Sequence, residues 1–148
     1  MGWGMKIQFT ENFKDIFEEK NLTQKQIAEG TGISQGQISR FLNGVIPTAK
    51  NVCKICDFLG CSVDYITGLN EEYSYKNSKK GFYNFYFYEE YEKLLKLNNT
   101  SHYKLAKQHI VCETSLRFWK NGTLPNFEVM FNIAQTLGGS LDKMLGKL

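Results

Sequence analysis

The chain has 148 residues, a formal net charge of +3, 42% hydrophobic and 22% charged residues, which excludes a disordered or collagen-like chain and leaves room for one ordinary domain or two very small ones. No run approaches the ~18 consecutive apolar residues of a membrane span, and the opening Met1-Gly2-Trp3-Gly4-Met5-Lys6 has no apolar leader. A cytoplasmic protein with free thiols at Cys53, Cys56, Cys61 and Cys112 is therefore expected.

Splitting the chain at Leu69 gives 7 Lys+Arg against 7 Asp+Glu before it and 11 against 8 after it. The excess charge lies in the second half, a balance compatible with nucleic-acid binding that does not by itself predict it.

In chain order, a first helix is expected near Glu11 to Lys20. Thr23 precedes Gln24-Lys25-Gln26-Ile27-Ala28 with Gln26 at the capping-box position, so a second helix starts there, and Gly32 breaks it. Ser34 caps a third helix carrying Ile38, Phe41 and Leu42, which Asn43-Gly44 ends. Pro47 suits the first turn of a fourth helix whose inward face is Val52, Ile55, Cys56 and Leu59, and a fifth runs from about Ser62 to Thr67.

The same punctuation recurs 78 residues later without insertion. Ala28 meets Ala106, Asn43-Gly44 meets Asn121-Gly122, Pro47 meets Pro125, Leu59-Gly60 meets Leu137-Gly138, Asp64 meets Asp142 and Gly68 meets Gly146. Two occurrences of so long a period read as duplication of a compact domain. The second set of helices is expected at about 82–97, 101–109, 112–120, 125–137 and 140–145. The expected fold class is all-α, with two tandem five-helix domains at 1–69 and 81–148 joined by a polar linker at 70–80. If extended at ~3.3 Å per residue, the linker's 11 residues reach ~36 Å, about one turn of B-DNA.

A short helix, a tight turn at Gly32 and a second short helix from Ser34 form a helix-turn-helix pattern, with Ile27, Ile33, Ile38 and Phe41 filling the angle. Through Thr23-Gln24-Lys25-Gln26-Ile27-Ala28, Gly32-Ile33-Ser34 and Ile38-Ser39-Arg40-Phe41-Leu42-Asn43-Gly44 the chain resembles the phage repressor/Cro-like (Xre) helix-turn-helix family, and the likeness continues through Leu59-Gly60 and Asp64 to Gly68. The resemblance implies a sequence-specific regulator of double-stranded DNA, a repressor of phage or mobile-element type. It implies that Gln24 holds a phosphate, that Asn43 and Gly44 approach the backbone, and that Gln35, Gly36, Gln37 and Arg40 face base edges. Gln can pair with adenine and Arg with guanine in bidentate fashion.

The second copy departs at these positions. Gly32 becomes Ile110, Gln24 becomes His102, and Gln35, Gly36, Gln37 and Arg40 become Glu113, Thr114, Ser115 and Phe118. Thr114, Arg117 and Lys120 remain candidates for DNA contact, with Lys104 and Lys107 nearby, while Glu113 and Phe118 equally suit a protein partner. The alternative function is thus a protein-interaction module, the second copy binding a partner and the first serving autoregulation.

Cys53-Lys54-Ile55-Cys56 raises a zinc or thiol site, but no second pair completes four ligands, and both cysteines fall on the inward side of the fourth helix. Phe82, Phe85 and Tyr86 fall outside the repeat's inward positions and read as an interface, between the copies, between two chains in a homodimer, or for stacked bases. His102 and His109 stand without a nucleophile or phosphate-loop motif, so no enzyme and no cofactor are expected.

Overall fold

The structure, a computed structural model, describes residues 7–148, and every regular element among them is helical. Met1–Lys6, the segment on which the expectation about a leader rested, lie outside the described residues. Five helices come first: α1 (Phe9–Glu19), α2 (Gln24–Thr31), α3 (Gln35–Leu42), α4 (Ala49–Leu59) and α5 (Val63–Thr67). Five more follow: α6 (Phe87–Leu97), α7 (His102–Lys107), α8 (Leu116–Lys120), α9 (Phe127–Leu137) and α10 (Leu141–Met144), with single 3-10 turns at Asn84–Tyr86 and Glu113–Ser115. The bounds of α6 and α9 are those of α1 and α4 advanced by 78 residues.

The helix starts follow from side-chain oxygens that accept the otherwise orphaned N–H groups of each first turn. Thr23, Ser34, Thr48, Ser62, Ser101, Asn126 and Ser140 all act in this way. Pro47 and Pro125 are therefore not in the first turns of α4 and α9, as the sequence suggested. Each sits one residue before the capping residue and is buried there.

Amphipathic faces close one connected apolar core. Phe9, Phe13 and Ile16 of α1 meet Ile27, Ile38, Phe41, Val52, Ile55 and Ile66, while Phe87, Tyr91 and Leu94 of α6 meet Leu105, Trp119, Met130, Phe131 and Leu141. Cys53 and Cys56 are buried within α4. Burial pushes the Cys53 thiol up to about 12 and the Cys56 thiol well above its ordinary value, so both behave as small apolar side chains.

The polar segment 70–80 is folded back and not extended. Ser62 N donates to the Tyr73 carbonyl at 2.6 Å and Ser62 Oγ to the Glu72 carbonyl at 2.6 Å. Tyr75 O–H donates to Asp64 Oδ2 at 2.5 Å, and Lys79 N donates to the Lys147 carbonyl at 2.7 Å. Carbonyls fixed on the buried Ser62 leave no free 36 Å tether between the halves.

Two further fastenings join the halves. Lys147, 2% exposed, places Nζ 2.5 Å from Asp57 Oδ1 of α4, and Gly81 N donates to the other Asp57 oxygen at 2.7 Å. α5 packs on α10, and Asp64 and Asp142 lie buried at that contact.

Candidate nucleic-acid interface

The α2–α3 pair is built as its residues dictate. Gln26 N donates to Thr23 Oγ1 at 3.1 Å while Thr23 N donates to Gln26 Oε1 at 2.8 Å, completing the capping box. Gly32 ends α2 at φ 76°, in the left-handed region that favours glycine, with its N–H on the Ala28 carbonyl at 2.9 Å. Two residues on, Ser34 Oγ accepts from Gln37 N at 3.2 Å and starts α3. Ile27, Ile33, Ile38 and Phe41 are all buried in the angle between the helices.

With Ile38 and Phe41 inward, Gln35, Gly36, Gln37 and Arg40 are exposed together on the opposite face of α3. Gln24, the first residue of α2, is half-buried. Asn43 and Gly44 are exposed just past the end of α3, where Asn43 Nδ2 donates to the Ser39 carbonyl at 2.8 Å and Gly44 takes φ 110°. Gln35, Gly36, Gln37 and Arg40 thus share the exposed side of α3, and the Gln and Arg side chains on it carry donors and acceptors of the kind that pair with major-groove base edges.

The equivalent region of the second half is constructed differently. Cys112 stands where Ser34 stands, no side chain caps the next turn, and residues Glu113–Ser115 form a 3-10 turn before α8. His102, at the position of Gln24, is buried, not exposed. Its Nε2 lies 3.0 Å from the Cys112 carbonyl, which can only accept, so Nε2 carries the proton and Nδ1 accepts from Tyr91 O–H at 2.7 Å. Its ring stands edge-on to Tyr91 and Trp119. The phosphate contact that the resemblance assigns to Gln24 therefore has no counterpart at His102.

The turn before α8 shifts as Ile110 requires. α7 stops at Lys107, short of the expected 109, and the positive φ falls one residue early, on His109 at 61°. Thr114, Arg117 and Lys120 are exposed, as are Glu113, Lys104 and Lys107. Phe118, in the position of Arg40, is 49% exposed with the Arg117 guanidinium 5.0 Å from its ring centre. Beside it a groove of about 550 Å³ runs past Cys112, Trp119 and Leu124. Hydrogen bonds from Thr114, side chain first and then backbone, hold the exposed Cys112 thiol below its ordinary range.

Of the aromatic cluster, Phe85 is 65% exposed and Tyr86 38%. Phe82 is half-buried against the core and lines a groove between the halves.

Sequence reasoning missed the carboxylates at the α5–α10 contact. Asp64 Oδ1 accepts from Leu141 N at 2.6 Å and Asp64 Oδ2 from Ser140 Oγ at 2.6 Å, while Asp142 accepts from Val63 N at 3.0 Å and Asp64 N at 2.8 Å. The signal was present as Ser62-Val63-Asp64 and Ser140-Leu141-Asp142, the same spacing at the same register. Burial, with the neighbouring Asp64 carboxylate adding to it, raises the Asp142 carboxyl from 3.8 to about 7.

A capped helix, a left-handed glycine turn and a second capped helix with one polar face define a helix-turn-helix domain. Residues 13–66 match the family described as Helix-turn-helix, just over a third of the chain. The chain is also similar, at 22% identity, to a transcriptional regulator from Listeria innocua known from its crystal structure, covering 77% of this chain and 97% of that one with a TM-score of 0.42. No curated protein matches it. Among the described residues no helix is long and apolar enough to cross a membrane.

Proposed function

We propose that the chain is a sequence-specific regulator of double-stranded DNA, a repressor of phage or mobile-element type, and that residues 81–148 are a second, diverged copy of the helix-turn-helix domain. The observation that carries the reading is the exposed face of α3, where Gln35, Gln37 and Arg40 stand together on a helix fixed at both ends. Gln24, Asn43 and Gly44 then position the domain on the phosphate backbone, and the α3 face reads bases. The family match over residues 13–66 supports this assignment.

In the second copy, Thr114, Arg117 and Lys120 are the DNA-facing candidates. A second reading is favoured by Phe118, whose exposed ring beside a groove lined in part by Trp119 and Leu124 suits a protein partner better than a base edge. Selection from a random duplex pool with full-length protein at moderate salt tests both. Enrichment of a shared sequence supports the regulator. Absence of enrichment refutes it and directs attention to Phe118.

A further inference from the structure

The contact between α5 and α10 is reciprocal. Each aspartate serves the first turn of the other helix, and the two partners stand 78 residues apart, the repeat offset itself. Contacts that exchange residue for residue are the signature of a two-fold interface, here formed within one chain. A second feature obeys the same exchange. The segments that lead from α3 into α4 and from α8 into α9, Ile46–Lys50 and Leu124–Glu128, correspond position by position at that offset and line one groove of about 450 Å³ together with Phe82. The two reading elements thus deliver their following loops to a single place. Asp57 and Lys147 fasten the halves elsewhere, and the 70–80 segment is bonded to Ser62 and Asp64.

Resting on the DNA-binding reading, we infer that the chain engages DNA as a single molecule, its halves locked into one pseudo-two-fold reader that takes two adjacent, unequal half-sites. The exchange is completed within the chain: Val63 and Asp64 of α5 are buried and bonded to residues of the chain's own α10, so this two-fold contact uses no second copy. The two faces also differ in chemistry. Gln35, Gln37 and Arg40 can discriminate bases, whereas Glu113, Ser115 and Phe118 occupy the same positions in the second half with Lys104, Arg117 and Lys120 exposed around them. The first half-site is read by sequence, and the second is held on its phosphates. Asp64 and Asp142 are the positioning residues that set the spacing between them.

The test combines sedimentation and hydroxyl-radical footprinting of the full chain on its selected duplex. The expected result is one chain per duplex and two protected segments about one helical turn apart, with strong sequence preference in only one. Two chains on a palindrome, or a single protected segment, overturns the inference and leaves the DNA-binding reading standing. No selected duplex overturns both. The double variant Asp64→Ala/Asp142→Ala is expected to lose about 100-fold in affinity while keeping the first segment's preference, because the linked second contact is gone. Small-angle scattering of the free protein reads the same lock without DNA: the variant's radius of gyration rises. An unchanged radius and unchanged footprint at full helix content refute the positioning role. Should the double variant lose its helices, Asp142→Asn, which keeps one acceptor, is measured in its place against the same criteria.

Discussion

Stability should fall as pH rises through neutrality, and Asp142 is the group responsible. Raised by burial and by Asp64 from 3.8 to about 7, its carboxyl keeps a proton in the folded chain that the unfolded chain has released. The stabilisation is fully present below about pH 4 and is lost as pH climbs past 7. Between those limits linkage sets the slope at about 1.4 kcal/mol per pH unit. From pH 5 to 7.5 the wild type should lose about 2–3 kcal/mol, or about 5–10 °C in melting temperature for a chain of this size. Asp142→Asn cannot titrate there. It starts lower at pH 5 by about 1–3 kcal/mol, because one of the Val63 and Asp64 N–H groups then faces an amide NH₂. Urea unfolding of both proteins from pH 5 to 8.5 gives the difference curve, in which contributions common to both largely cancel. Convergence of the two curves with rising pH is expected. Parallel curves would show that Asp142 does not titrate in this window and refute the argument.

Arg40→Ala should cost about 1–3 kcal/mol at the preferred site and flatten discrimination at one base pair, while Gln24→Ala weakens all sequences alike; fluorescence anisotropy on matched and scrambled duplexes separates them, and equal loss for Arg40→Ala would sink its assignment. Gly146→Ala should destabilise by about 2–4 kcal/mol, since a Cβ there meets Tyr86 Cδ2 at 2.5 Å and Tyr83 Cβ at 2.7 Å at φ 75°. Gly122→Ala, at φ 94° with open space around it, carries the backbone strain alone, about 1–2 kcal/mol by thermal melting. Lys147→Met strands the Asp57 carboxylate and should cost about 2 kcal/mol, less than for a fully buried pair because Gly81 N still bonds Asp57; adding Asp57→Asn should recover part of the loss. Iodoacetamide at pH 7.5 should label Cys112 well before Cys53 or Cys56, and mass spectrometry of the peptides reads the order.

The capping residues made most of the fold legible. Thr23 with Gln26, Ser34, Gly32 and the 78-residue register place α2 and α3 and, through Ile38 and Phe41, the outward face of α3. These are local signals, decided within one turn of helix. What escaped is non-local. Ser62-Val63-Asp64 reads equally well as a helix supplying its own first-turn acid, and only the fold shows the carboxylate reaching across to α10. The 70–80 segment looked free because main-chain carbonyls hold it, and Glu72 and Tyr73 bond through atoms that every residue type possesses. Nothing local marks Lys147, whose partner lies 90 residues away. In the second half, Cys112 in place of Ser34 was visible, but its effect, a 3-10 turn in place of a capped helix start, required the backbone.

The reciprocal aspartates also impose an order on synthesis. α5 has five residues and α10 four, too short to persist alone, and each takes part of its first-turn bonding from a side chain in the other half. On a ribosome adding about 5–20 residues per second, Val63 and Asp64 emerge roughly 4–16 s before the carboxylate that accepts their N–H groups. In the nascent first half those two N–H groups therefore lack this acceptor until α10 arrives.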